Sequence, residues 1–465
     1  LEVMYDGAME NSGFPKKNAS LGTKVTGGWD WNVEAGATTV HYTSWKEMMP
    51  NKNVTDRFDQ YSKTTNFAGA LAWKDCGMFG AEFDQDDSWG SLRFTPTNLT
   101  FKKSVYAFDG MLISLGSNIS ASGAYGDDMI TATNLFQGID SEVSGELVVN
   151  GETMAAGAET KTNDSSADLW MVTPQGTGYF VPKGNDPIII KHGEQSSPNE
   201  TGDNVDDPVT VTAAKAYINH GVKTSGKEYV FVAVPATNAT DMAELAAKMA
   251  NKGGEIFEIK AQNEKLHALA YKPAKVTAYS IFTAVDGLNF GRLKSTASEM
   301  LLMEKPGVND KMLSLAISNP NLRPQKDGND PEGKRWIATP TQTSIVLDGE
   351  WVLNGDAIDG VTITPQSDKT TKIDLTLTEG EPVYIDLVDK DAVGITTVDQ
   401  SEQAHVYTAG HDVFVVNAVG TAMVYDVAGQ VIKSVDVDGS ARFTLDQQGC
   451  YIVKISDKTV KVVIR

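Results

Sequence analysis

Gly27-Gly28-Trp29-Asp30-Trp31-Asn32 sets two tryptophans at i and i+2 around an acid, with an amide close behind. In an extended chain, residues two apart share a face. Two indole faces beside Asn32 make a surface on which a sugar ring stacks while the amide takes its hydroxyls. The same spacing describes a Trp-rich strand packed into a core, and local chemistry leaves both readings open. Trp73 poses the same choice between stacking and core packing. Lys102-Lys103 suits a sulfate or carboxylate, or else a solvated strand edge. Asp84, Asp86 and Asp87 crowd one turn, as do Asn354, Asp356 and Asp359. A hard cation needs several oxygens converging in one loop, and the EF-hand spacing is absent. Solvated turns and no cofactor are therefore expected, with Ca2+ or Mg2+ as the alternative. His220 beside Asn219 has the look of a general base but is expected to be a structural strand histidine. The sequence has no Gly-rich phosphate loop, metal-ligating cysteine set or nucleophile elbow.

The elements that position these groups read as strands. Glycine, threonine and valine are abundant, and apolar runs recur about every ten residues from Phe67 onward, divided by turn clusters. Asn150-Gly151 supplies the positive φ of a hairpin turn. Residues 193–209 are rich in Ser, Pro, Asn, Gly and Asp and are expected to form a surface loop. One helix stands out: Asn238 or Thr240 caps it, Met242, Leu245, Ala246 and Met249 recur at helical spacing, and Gly253-Gly254 stops it.

A chain of 465 residues is expected to hold two to four domains. No stretch of eighteen apolar residues exists to span a membrane as a helix. With 61 acids against 40 bases the net charge is −21, which argues against nucleic acid as a partner. The same charge requires a local basic patch wherever a polyanion binds. Cys76 and Cys450 are far apart and are expected to be free thiols. Leu1-Glu2-Val3-Met4-Tyr5 reads as a strand already under way, so the chain is expected to be an internal piece of a longer protein.

Three ordered blocks resemble polysaccharide lyase family eight, the chondroitin and hyaluronan lyases, and most of all its chondroitin lyase ABC branch. The first is Gly28-Trp29-Asp30-Trp31-Asn32 with Gly36-Ala37-Thr38-Thr39. The second runs from Lys102-Lys103-Ser104 through Asp109 and Gly116-Ser117-Asn118-Ile119 to Asn134-Leu135-Phe136-Gln137. The third is Ala216-Tyr217-Ile218-Asn219-His220-Gly221. The resemblance implies an all-β fold: a large antiparallel, galactose-mutarotase-like super-sandwich followed by two small β-sandwich modules. It implies β-elimination at a uronic acid. A His, a Tyr and an Arg on a preceding helical toroid would act there, supported by a Glu from the β-half. None of His41, His192, His220, His267, His405 and His411 stands beside the expected Tyr and Arg in the sequence. The supporting Glu is expected four residues before Gly77, where Trp73 stands; Asp75 is the nearest acid and the candidate substitute.

On this reading residues 1–45 end the toroid-to-β junction, 46–320 form the super-sandwich, 321–390 a small β-domain and 391–465 a last module. The last module resembles the sorting or Ig-like modules of secreted Bacteroidetes-type proteins, through Ala422–Ile432, Gly449–Ile455 and Lys461–Arg465. The implied partners are an acidic polysaccharide and the toroid. The implied location is secreted, periplasmic or on the surface of a Gram-negative bacterium. A non-catalytic carbohydrate-binding or display protein on the same scaffold is the alternative.

Overall fold

The computed structural model describes residues 28–30, 32–43, 65–85, 97–123, 126–143, 145–198, 208–307, 310–329, 331, 335–392, 405–409, 411–455 and 458–464. The chain divides into two compact units, Leu1–Ala392 and Val393–Arg465.

The first unit is a stack of antiparallel sheets. The first sheet has five strands, in the order Thr38–Val40, Ile130–Ile139, Pro208–Val222, Ile188–Pro198, Lys161–Asn163. The second has nine and includes Ala68–Trp73, Cys76–Asp84, Leu99–Phe108, Met111–Ala121 and Lys227–Val234 as successive neighbours. The third has seven strands, among them Leu266–Tyr271, Val276–Ile281 and Met300–Pro306, and the fourth has four.

Strand periodicity explains why the inner sheets are apolar on both faces. In Lys227–Val234, Tyr229, Phe231 and Ala233 enter the core shared with the first sheet. Val230, Val232 and Val234 enter or line the core shared with the third. Met300–Pro306 repeats the device: Leu301 and Met303 face that second core, while Met300 and Leu302 face a third core against the fourth sheet. Each such buried side chain contributes roughly 1.5–3 kcal/mol, so register is strongly specified.

The helix Ala239–Gly253 is capped by Asn238, whose side chain accepts from the amides of Thr240 and Asp241. Met242, Ala246 and Met249 seat it on the core between the second and third sheets. Its end differs from the expectation, because Ala250, Asn251 and Lys252 already leave helical angles before the glycines.

Two further expectations change. Residues 193–198 and 208–209, expected in a loop, continue a long hairpin whose pairing runs out to Pro198 opposite Pro208; residues 199–207 lie outside the described residues. Residues 321–390 share sheets with the preceding segment instead of forming their own: Val383–Asp389 pairs with Met312–Ser318, and Thr341–Asp348 pairs with Leu293–Thr296.

In the second unit, five antiparallel strands between His405 and Ile464 are hydrogen-bonded together. They close over a core that includes Val413, Val415, Val424, Phe443, Val453 and Ile464.

Candidate functional site on the outer face of the first sheet

The inner face of the first sheet is sealed by Leu135, Phe136, Ile188, Ile190, Ala214, Ala216 and Ile218. By alternation, Lys191, Lys215, Tyr217 and Gln137 lie on its outer face. The segment 28–43 straps across that face. Trp29 packs on Ile139 and Ala213, and Val33 packs on Ala132 and Tyr217.

Side-chain amides pin the strap to the sheet. Gln137 accepts from the Asp30 amide at 2.9 Å and donates to the carbonyls of Asp30 and Val33. Asn134 donates to the Asn32 carbonyl at 2.8 Å. Gln195 donates to the Gly28 carbonyl at 2.7 Å. These bonds hold a loop with no strand partner of its own over most of its length, and they bring Asp30 to Lys215 at 2.6 Å. Burial of Asp30 favours its neutral form, but the charge and hydrogen bond of Lys215 outweigh this and hold the carboxyl below its ordinary range.

His41 comes from the far end of the strap. Its Nε2 lies 2.9 Å from Asn134 Oδ1, and its ring meets Tyr217 edge-on at 4.8 Å. Because Asn134 Nδ2 donates to Asn32, its Oδ1 is the acceptor, so His41 carries its proton on Nε2. The other ring nitrogen has no partner among the described residues. Burial pushes the His41 pKa down to about 4, so the ring is neutral at pH 7. Burial, with the nearby charge of Asp30, raises Tyr217. The arrangement places a neutral imidazole, a protonated phenol, one paired lysine and Lys191 along one polar face. Such a face orients hydroxyls and anionic groups.

The candidate residues from the sequence fall in different places. Trp29 is only 7% exposed, and its Nε1 donates to Glu34 at 3.3 Å, so it packs as core and offers no open ring. Trp31 lies outside the described residues. Asn32 is buried, and its side chain both donates to and accepts from the Tyr42 backbone at 2.9 Å, which leaves it positioning the strap. Trp73 is 6% exposed within the core between the second and third sheets and cannot stack a sugar.

Asp75 is exposed in the two-residue turn between Ala68–Trp73 and Cys76–Asp84. Lys103 sits opposite Ala81, six residues along that strand from Asp75. At about 3.3 Å per residue this separates Asp75 and Lys103 by roughly 20 Å. Asp75 therefore does not join this face. Lys102 is engaged by Glu82 at 2.5 Å. Lys103 donates to the Gly36 carbonyl, and burial lowers its pKa to about 8. Both lysines serve the scaffold, one as a cross-strand ion pair and the other as a tie to the strap. Of the acidic turns, Asp86 and Asp87 lie outside the described residues, and among the described residues no group of three or more His, Cys, Asp or Glu could hold a metal. Both cysteines are free.

Sequence reasoning missed His41 with Tyr217 and Lys191 with Lys215. Only the second pair left a signal. The two lysines are symmetric about residue 203, the centre of the hairpin once 193–198 is read as strand.

Residues 22–246 match the family model for polysaccharide lyase family 8, super-sandwich domain. The chondroitin sulfate ABC endolyase of Proteus vulgaris is 24% identical over 326 residues, covering 70% of this chain and 29% of that protein. The chondroitin sulfate ABC exolyase of the same organism is 26% identical over 352 residues, covering 70% of this chain and 32% of that protein. This chain thus spans about a third of the length of the curated relatives it matches. A chondroitinase AC lyase solved with oligosaccharides superposes with a TM-score of 0.55 at 17% identity, over 77% of this chain and 44% of that one. A Paenibacillus xanthan lyase gives 0.56 at 16%, over 92% and 42%. At these identities the solved structures share the fold.

Proposed function

This chain belongs to polysaccharide lyase family 8 through the super-sandwich domain at residues 22–246, and from that premise we propose that it is the C-terminal β-half of a glycosaminoglycan lyase. Its substrate would be chondroitin or dermatan sulfate, with hyaluronan as a further candidate, and the outer face of the first sheet would wall one side of the cleft. The similarity to two chondroitin sulfate ABC lyases over 70% of the chain carries the reading. The location of an acidic polysaccharide supports a secreted, periplasmic or surface-bound protein.

In the reaction a base removes the proton on C5 of the uronate, and its electrons form the C4–C5 double bond. The C4–O bond breaks, and an acid protonates the departing glycosidic oxygen. We assign the base, the acid and the group that neutralises the carboxylate to a preceding helical toroid. The contribution of this half is orientation: Lys215, held by Asp30, and Lys191 take anionic groups, while Tyr217 and His41 meet sugar hydroxyls.

One observation favours a second reading, a non-catalytic polysaccharide-binding protein. The position where a supporting Glu is expected holds the buried Trp73, and the nearest acid, Asp75, lies in the turn two residues on, away from the outer face of the first sheet. The test is the ultraviolet absorbance of unsaturated uronates released from chondroitin sulfate, dermatan sulfate and hyaluronan by the full-length parent and by this chain. Activity in the parent alone is expected. Activity in this chain alone would overturn the division of labour, and silence in both with retained glycan binding would favour the second reading.

A further inference from the structure

Lys191 and Lys215 are direct partners across neighbouring strands. Like charges directly opposite on one face destabilise a sheet. Here two lysines share one carboxylate: Lys215 is paired with Asp30 at 2.6 Å, whereas Lys191 has no hydrogen bond or ion pair of its own among the described residues and feels Asp30 only at longer range. That is notable in a chain with 61 acids and a net charge of −21. The ammonium of Lys191 is held below its ordinary pKa by partial burial and then by the charge of Lys215.

The pair opens onto a cavity of about 610 Å³. It lies where Ile188–Pro198 runs beyond the end of its neighbour Lys161–Asn163, and among the described residues the strand edge there is covered by the loop around Gly157, whose amide donates to the His192 carbonyl. Gly193, two residues from Lys191 on the same face, keeps the floor low: a Cβ there would already touch Gly157 at 3.9 Å. Glu194 also lines the cavity, but alternation sends it from the strand opposite to Lys191. The volume is that of a small-ligand site.

We infer that Lys191 and Lys215 form an anion subsite for this cavity, which takes a sulfate ester or uronate carboxylate of an acidic polysaccharide. The identity of the ligand rests on the proposed lyase reading; the existence of the anion site does not. An anion there neutralises the excess positive charge of the pair, and Lys191 is exposed to receive it.

The test uses this chain at low ionic strength, where such contacts are least screened. Wild type, Lys191→Met and Lys191→Arg are titrated calorimetrically with chondroitin sulfate oligosaccharides, unsulfated chondroitin oligosaccharides and inorganic sulfate. Lys191→Met is expected to weaken chondroitin sulfate about tenfold, as for loss of one charge-assisted contact, and Lys191→Arg to restore most of it. A loss confined to the sulfated chain assigns the sulfate ester, and an equal loss on both assigns the carboxylate. Unchanged binding in Lys191→Met, or no sulfate binding by wild type, overturns the subsite even if the parent is an active lyase. Conversely, a sulfate site that is lost in Lys191→Met, with no binding of either polysaccharide by wild type, upholds the anion site and overturns its polysaccharide ligand.

Discussion

Two polar regions of the first unit use the same residue types to opposite ends. Between the second and third sheets, His267 is enclosed with Ser104, Ser117 and Tyr106. Ser117 donates to the Asn263 carbonyl at 2.9 Å, so it accepts from His267 Nε2 at 2.8 Å, and Ser104 must then donate to Nδ1 at 2.7 Å. Every ring position is spent on protein, and the network is closed. On the outer face of the first sheet, His41 spends one nitrogen on Asn134, and Lys191 spends nothing on the described residues. Both histidines are depressed chiefly by burial, to about 3 and about 4, so a shifted titration alone does not mark a site. What separates the regions is unused hydrogen-bonding or charge capacity beside a cavity.

The largest expected effect tests the closed network. His267→Ala strips both serines of a partner and leaves a hole, which costs on the order of 4 kcal/mol; urea denaturation measures it. A loss below about 1 kcal/mol would mean that the band tolerates opening and that the contrast fails.

A smaller effect follows acid. Well above pH 6.5 His41 is neutral whether folded or not. As pH falls from 6.5 towards 4, the unfolded chain takes up the proton while the folded ring does not, so stability is lost across that window. His41→Gln is expected to flatten the decline by roughly 2 kcal/mol, after allowance for its partial exposure. An unchanged acid profile would make His41 as open to solvent as a surface histidine.

The smallest effects belong to groups outside either network. Lys191→Met and Asp75→Asn are each expected to move stability by less than about 0.5 kcal/mol. Only the first is expected to alter binding of anionic polysaccharide. If Asp75→Asn instead lowered lyase activity of the parent, the hairpin turn would have to reach the cleft and the outer face would lose its claim.

Much of the scaffold was legible because apolar alternation is local. Val230, Val232 and Val234 against Tyr229, Phe231 and Ala233 announce a strand buried on both faces, and the blocks around Gly36, Ser104 and His220 pointed to the family. The candidate site was far less legible. A tryptophan two residues from another is compatible with a platform or a core, and only the packing of Trp29 on Ile139 and Ala213 decides between them. Asp75 looked near the chemistry because it is near Gly77 in sequence, yet a tight turn carries it to the end of a sheet.

The sequence by itself determined which residues alternate, where Asn238 starts a helix, how acidic the chain is, and to which family its super-sandwich belongs. Tertiary structure decided that His41 meets Tyr217, that Lys191 faces Lys215, and that residues 341–389 join the sheets of the preceding segment. The physical reason is range. Side-chain alternation is written in neighbouring residues, whereas register between strands far apart in sequence is selected by the cores that all the sheets must bury together.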